Sequence, residues 1–502
     1  MSQLPAPSSV VRGAPVDSHR NERGVALVVV LLLTVALSAI GASLLLLAKT
    51  DTYTSMNYRM MSQARYGAES GVMRAANYLT QVYQDPGQAV GDPLSNYNMT
   101  VSPVTYNGQP VVLSADPNQP SNYPFAAAQT AFNAAVQGSL VEGQTVNYTA
   151  YATLLSMRTV QEYGATTPRV IQTWRLTGTG SIGGARPATV EVTSTLEQQL
   201  TPIMSFGLFA TGGSCGALEF AGGATTSSYD SSNMTMLNGQ PVTQNTGGSV
   251  GSNGNLSLQG SGTQINGSLS TPRTGVGNCK NGTVTAFSGN VATVTEGIVQ
   301  LPQSISYPTP ALPNPLPPTT GSSWASCAAL GLSAPTCTGS PGNITLDPQG
   351  GTLTFGNVDI GNNNVHLKAG LYNINSIQSN ATAVLYIDNG PVVMNVAGQS
   401  TNQPVSLNGN GFNNPSFDPT NFQMLYGGTS AININGGSQS AAMIYAPNAD
   451  IIFNGGADFY GSMVGATIKD TGGAKFHYDR RLQNDFMMGG AFMMSSFTWR
   501  KY

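Results

Sequence analysis

From Gly24 to Ala48 the chain reads GVALVVVLLLTVALSAIGASLLLLA, with no charged residue between Arg23 and Lys49. A helix over that run is roughly 36 Å long, enough to cross a hydrocarbon core, and a lone segment in lipid has to be helical because its amides must pair internally. The helical period continues past the span. Ala64, Ala68, Val72, Ala75 and Leu79 recur every three or four residues and mark one apolar face, while Gln63, Arg65, Glu69, Arg74 and Asn77 fall mostly elsewhere. Gly67 and Gly71 lower helix propensity there, which predicts close packing against a neighbouring element. Residues 84 to about 145 are weakly patterned and cut by prolines from Pro86 to Pro124, with a short helix expected at Phe125–Gln137. Alternation then appears in VNYTAYATLL, VIQTWRLTGTGSI and ATVEVTSTLEQQL, read as three strands, with Gly178–Gly184 as the hairpin loop between the last two.

After Ser205 the pattern changes to short apolar bursts punctuated by Gly and Asn, as in GALEFAGG, AVLYIDNGPVVMNV and IIFNGGADFYGSMVGATI. Two stretches echo each other. Leu256-Ser-Leu-Gln-Gly260 leads to Gly267-Ser-Leu269, and Ile451-Ile-Phe-Asn-Gly455 leads to Gly461-Ser-Met463, one residue out of step. This predicts coils of a parallel β-helix, with stacked apolar residues inside and Gly or Asn at the corners. A two-sheet sandwich is the alternative. Pro302–Pro341, containing PTPALPNPLPP at Pro308–Pro318, reads as an extended linker or surface loop.

Composition narrows the functional classes. Charged residues make up only 9% and the net charge is −3, so no basic footprint for nucleic acid is present. The four cysteines, Cys215, Cys279, Cys327 and Cys337, all follow the apolar span, which suits an oxidising compartment. Cys327 and Cys337 flank a short Pro-containing loop and are the better candidate pair, leaving Cys215 with Cys279; free buried thiols are the alternative. Their spacings match no zinc pattern, and neither a metal nor a cofactor is expected.

The leader Met1–Gly24 carries Arg12, Arg20 and Arg23 and ends in Glu22-Arg23-Gly24, directly before the apolar run. Basic flanks hold that end in the cytoplasm. This arrangement resembles the class III signal of type IV pilins and pseudopilins, which implies cleavage by a prepilin peptidase between Gly24 and Val25 with the helix retained. Cleavage after Ala39-Ile40-Gly41, or an uncleaved anchor, are the rivals. Gln63–Leu79, with its Ala68-Glu69-Ser70-Gly71, resembles the segment after the span in PilX-type minor pilins and GspK-type pseudopilins. Major pilins carry Glu at the fifth mature position. Here it is Val29, and the missing carboxylate resembles GspK and many PilX-like proteins, which act at or near a filament tip. Further on, Tyr445-Ala446-Pro447-Asn448-Ala449, read as a turn, and His477-Tyr478-Asp479 to Leu482 resemble the β-helical domain often found behind PilX-type N-termini. Ser228-Tyr229-Asp230-Ser231 fits its opening.

The resemblance implies an α+β then all-β chain. Its parts are a leader at 1–24, a transmembrane helix at 25–48 that opens a pilin-like domain over 25–200, and a β-helix in two parts, 205–301 and 342–485. The Pro-rich linker at 302–341 separates those parts, and a tail occupies 486–502. It also implies other pilins as partners through the N-terminal helix, and a place in the inner membrane with the bulk periplasmic, then in an extracellular pilus. A surface glycan or host receptor is a further expected partner.

His477 and Asp479, two apart on a strand, could share a face and invite a catalytic reading. The only other histidines are His19 and His366, no HExxH motif occurs, and the acids are scattered. The cluster His477, Tyr478 and Asp479 is therefore read as structural and no catalytic residue is assigned. The expectation is a non-enzymatic minor pilin. A GspK-like type II secretion pseudopilin is the alternative, and a membrane-anchored β-helical carbohydrate-active or carbohydrate-binding protein is the reading of another class.

Overall fold

The computed structural model describes residues 22–501 except 89, 143, 166–167, 185–186, 281, 409–410, 436–438 and 457. The chain forms two compact units. One comprises Met1–Ser156, Thr173–Leu196 and Met494–Tyr502, and the other Met157–Gln172 and Glu197–Met493.

In the first unit a single helix runs unbroken from Glu22 to Gln81. The face read from the period is the buried one, with Ala64, Ala68, Val72 and Ala75 at 0% exposure. Small residues line the contact from both sides. A Cβ on Gly67 would lie 2.6 Å from Val146 Cγ1, and one on Gly71 would lie 3.0 Å from the Thr149 carbonyl oxygen. From the sheet side, a Cβ on Gly178 would collide with the Ala68 carbonyl oxygen, and one on Gly180 with that of Ala64. Those two glycines belong to the strand Arg169–Ile182 and not to a hairpin loop, so that reading of Gly178–Gly184 is corrected. They serve close backbone approach, which selects Gly as strongly as a turn does. Ala126–Ala135 forms the short second helix. One sheet contains, in order, Val112–Ser114, Gln144–Val160, Arg169–Ile182, Ala188–Pro202 and Met487–Lys501, so most of the residues expected as a tail form its edge strand.

The second unit is dominated by a parallel, solenoid-like sheet. Thr352–Asp359 pairs with Gly370–Gln378, and the sheet proceeds through Val392–Val396, Phe422–Tyr426, Ser440–Asn454 and Asp458–Asp470. The next strand is not a later one. Leu208–Ala210 pairs with Asp458–Asp470, followed by Val250–Ser252, Leu269–Thr271 and Ile298–Gln300. The earlier stretch thus extends the far end of the later one. Identical register stacks apolar residues into continuous columns. Tyr372, Met394, Met424, Ile444, Met463, Leu208, Val250 and Leu269 form one, all buried. Ile432, Ile451, Ile468, Leu218 and Leu256 form another. The two echoing sequences occupy these same columns, Ile451 with Leu256 and Met463 with Leu269, although not in successive rungs.

Residues 302–320 run back along this sheet as a strap. Ile305 N donates to Asn253 Oδ1 at 2.9 Å, Asn448 Nδ2 to Thr309 Oγ1 at 3.0 Å, Asn373 Nδ2 to the Pro315 carbonyl at 3.2 Å, and Asn357 N to the Thr320 carbonyl at 2.7 Å. Tyr307, Pro310 and Pro313 are buried at every third position, the period of a polyproline II helix with one edge against the sheet. Tyr445–Ala449 is no turn. It lies inside the strand Ser440–Asn454, where the register shifts between Ala446 and Asp450, because Pro447 cannot donate to a ladder and a bulge accommodates it. A long apolar helix followed mostly by strands, with a parallel solenoid-like sheet among them, is the coarse class that the hydrophobic pattern predicts.

Candidate functional site

Two regions bear on function: the apolar helix and the rung where the earlier stretch of the solenoid-like sheet joins the later one. Along the first half of the helix, apolar side chains are exposed on every side, from Val25 at 65% through Val29 at 51% to Leu47 at 59%. A helix apolar all round belongs in lipid or inside an assembly. It is the one helix among the described residues long and apolar enough to cross a membrane. Thr34, Ser38 and Ser43 do not interrupt it, because their hydroxyls donate to carbonyls three or four residues back at 2.7–2.8 Å. Glu69 pairs with Arg65 at 2.8 Å on the same helix. The leader lies outside the described residues apart from Glu22–Gly24, so Gly24 and Val25 fall within the first turns of the helix.

His477, Tyr478 and Asp479 lie on the strand Lys475–Asp479, which pairs in parallel with Thr225–Tyr229. They do not act as one group. His477 Nδ1 is 2.6 Å from Ser227 Oγ, and its ring stacks on Tyr460 with centroids 4.5 Å apart. Tyr478 points to the other side and donates to the Met204 carbonyl at 2.7 Å. Asp479 Oδ1 accepts from Ser231 N at 3.0 Å and Arg481 N at 3.1 Å, capping a short 3-10 turn. Asp230 and Asp418 cap two similar turns, accepting from Ser232 N and Thr420 N. Burial raises the Asp479 carboxyl above its usual range, with Asp418 adding to this, against the hydrogen bonds from Ser231 and Arg481.

Ser227, Asp458 and Tyr460 escaped the sequence reading. A signal was present, since Ser228-Tyr229-Asp230 resembles His477-Tyr478-Asp479. However, the pairing sets Ser228 opposite Tyr478 and Tyr229 opposite Asp479, one residue out of step with the likeness, so it is Ser227 that faces His477.

Disulfides join Cys215 to Cys279 and Cys327 to Cys337. They sit toward opposite ends of the solenoid-like sheet. The first ties the loop before Leu218–Phe220 to the loop before Phe287–Ser288 in a terminal rung. The second closes the loop before Cys337–Ser340, which runs antiparallel to Asn343–Leu346, beside the buried Trp324. Among the described residues, no group of three or more His, Cys, Asp or Glu side chains is placed to hold a metal.

Comparison with known proteins adds two families. Residues 23–72 match the PilX N-terminal family, and residues 335–485 match a domain of unknown function, DUF7305. No curated protein matches the chain. Among solved structures, the competence-associated pilin ComZ from Thermus thermophilus is similar at 15% identity over 88% of this chain and 98% of its own, with a TM-score of 0.25. That distance is too great to bear on function. The match at residues 23–72 falls on the apolar run and on Ala68-Glu69-Ser70-Gly71, and the chain is accordingly PilX-like at its N-terminus, a type IV pilus-related protein carrying a DUF7305 domain.

Proposed function

We propose that the chain is a non-enzymatic minor pilin, cleaved by a prepilin peptidase between Gly24 and Val25, that takes part in pilus assembly or surface adhesion near the tip. The observation that carries this reading is the 60-residue helix, apolar and unpartnered over its first half and buried on one face over its second. Val29 supports the tip position. A carboxylate there would cost about 2.5–3.5 kcal/mol at mid-membrane depth unless a neighbour's terminal amine paired with it, and a helix lacking it gains nothing from repeated stacking. The parallel sheet beyond residue 205, read as a Gly/Asn-rich β-helix, is a mass easier to seat where no subunit follows. The protein would wait in the inner membrane with its N-terminus cytoplasmic, then move to the pilus surface, where the β-helix could meet a glycan or receptor. A GspK-like pseudopilin shares the helix and the missing carboxylate.

Intact mass of the membrane-extracted protein should give a start at Val25, and immunogold on sheared filaments should label one end. A start at Ala42, or at Met1, sinks the pilin reading. Label along the whole length sinks only the tip position.

A further inference from the structure

Where the strap passes the bulge at Pro447, the two border a cleft that lies wholly within the second unit. Its volume is about 330 Å³, near the small end of the range for ligand clefts. Hydrogen bonds fix its walls. Asn253, 6% exposed, clamps the strap: its Oδ1 accepts from Ile305 N at 2.9 Å, and its Nδ2 donates to the Ile305 carbonyl at 2.8 Å and the Thr211 carbonyl at 3.0 Å. The Thr211 hydroxyl donates to the Pro447 carbonyl at 2.6 Å. Asn448 Nδ2 donates to the Gly427 carbonyl at 3.1 Å as well as to Thr309. Tyr307, buried against Phe209, and Pro447 supply apolar surface. Three polar atoms of the lining, the Ser304 and Ser306 hydroxyls and Asn448 Oδ1, have no hydrogen-bond partner among the described residues. No acidic or basic side chain lines the cleft, and Arg273 commits its guanidinium to the Asn253 and Gly213 carbonyls.

We propose that this cleft binds an uncharged saccharide, which gives a site and a ligand class to the glycan contact in the reading above and rests on the adhesive part of it. Asn448 Oδ1 can only accept a hydrogen bond, whereas the two serine hydroxyls can donate or accept. A ligand whose every polar group does both, as a sugar hydroxyl does, pairs with all three. The C–H face of the same ring has Ile305 and Pro447 to lie on. Other classes fit less well. An anion entering the cleft gives up hydration and meets no cation among the lining side chains. A wholly apolar ligand takes water away from the three unpartnered atoms and returns nothing to them. Because the walls are tied before any ligand arrives, little ordering opposes binding. The bulge thereby acquires a use beyond accommodating a proline, since such irregularities re-aim side chains beside binding sites.

Saturation-transfer NMR on the full chain, in a detergent without a sugar headgroup, tests the site with methyl β-glucopyranoside, N-acetylglucosamine and glucuronate as probes. Transfer to at least one of the two neutral sugars should saturate with a Kd on the order of 1 mM, the reach of about 14 heavy atoms at modest efficiency. Glucuronate should bind more weakly than that sugar. Ser306 is exposed, so Ser306→Trp should leave the thermal midpoint unchanged while its ring fills the cleft and weakens binding about tenfold or more. Ser340→Trp, on the exposed part of Cys337–Ser340, should leave binding as it was. No saturable transfer to either neutral sugar, tighter binding of glucuronate, or undiminished binding in Ser306→Trp would overturn the proposal. If Ser306→Trp fails to fold, Ser304→Trp, equally exposed, replaces it with the same expected and overturning results. Processing at Val25 does not depend on the cleft. A chain that starts at Val25 and binds neither neutral sugar therefore sinks this site alone, whereas one that starts at Met1 and binds sinks the pilin reading alone.

Discussion

A hydrogen atom at Gly180 sets how closely the long helix lies on the sheet, because any side chain there runs into the Ala64 carbonyl. Gly180→Val should therefore cost about 3 kcal/mol, the upper end of the usual overpacking range. Gly183→Ala, with open space around it, should be neutral. Thermal unfolding of the two variants side by side checks this, and equal midpoints would show that the contact yields. The buried helix face was legible from Ala64 to Leu79 because a 3.6-residue period needs no knowledge of the partner. Gly178 and Gly180 were not, since glycine is chosen alike for a turn and for close approach. The seam at Ser227 and His477 was legible only as a family likeness. Strand pairing across 250 residues leaves no local trace, and the visible likeness was out of step by one residue.

Among the elements, the terminal rungs depend on cross-links more than the central ones do. A central strand such as Val392–Val396 has a parallel neighbour on each side. Ile298–Gln300 has only Leu269–Thr271 among the strands described. Chain-entropy estimates give about 4 kcal/mol for a loop the size of Cys215–Cys279 and about 3 kcal/mol for one the size of Cys327–Cys337. Replacing Cys215 and Cys279 by Ser should speed amide exchange over Leu269–Thr271 and Ile298–Gln300 while Gly370–Gln378 stays protected. Uniform loss of protection would mean that the sheet behaves as one cooperative block instead of a stack of nearest neighbours. The columns themselves were foreseeable from short apolar bursts with Gly and Asn between them. The strap was foreseeable only as something extended, because proline fixes a backbone conformation without saying what it lies against.

At the scale of the whole molecule, the order of rungs differs from the order of synthesis. Leu208–Ala210 and Thr225–Tyr229 find partners only in Asp458–Asp470 and Lys475–Asp479 on one side, and Met487–Lys501 forms an edge strand of the sheet that includes Val112–Ser114. Deletion from Asp458 onward should therefore expose residues 205–301 to limited proteolysis while strands between Thr352 and Tyr426 persist. Resistance of 205–301 in that variant would show that the early rungs stand alone. The chain also crosses between its two units four times, at 156/157, 172/173, 196/197 and 493/494. A head hung on one linker passes all tension through a single covalent thread, and one cut sheds it. Here the segments of each unit are separate in sequence, so a cut at any one crossing leaves two fragments that still share a unit and are held together by the packing within it.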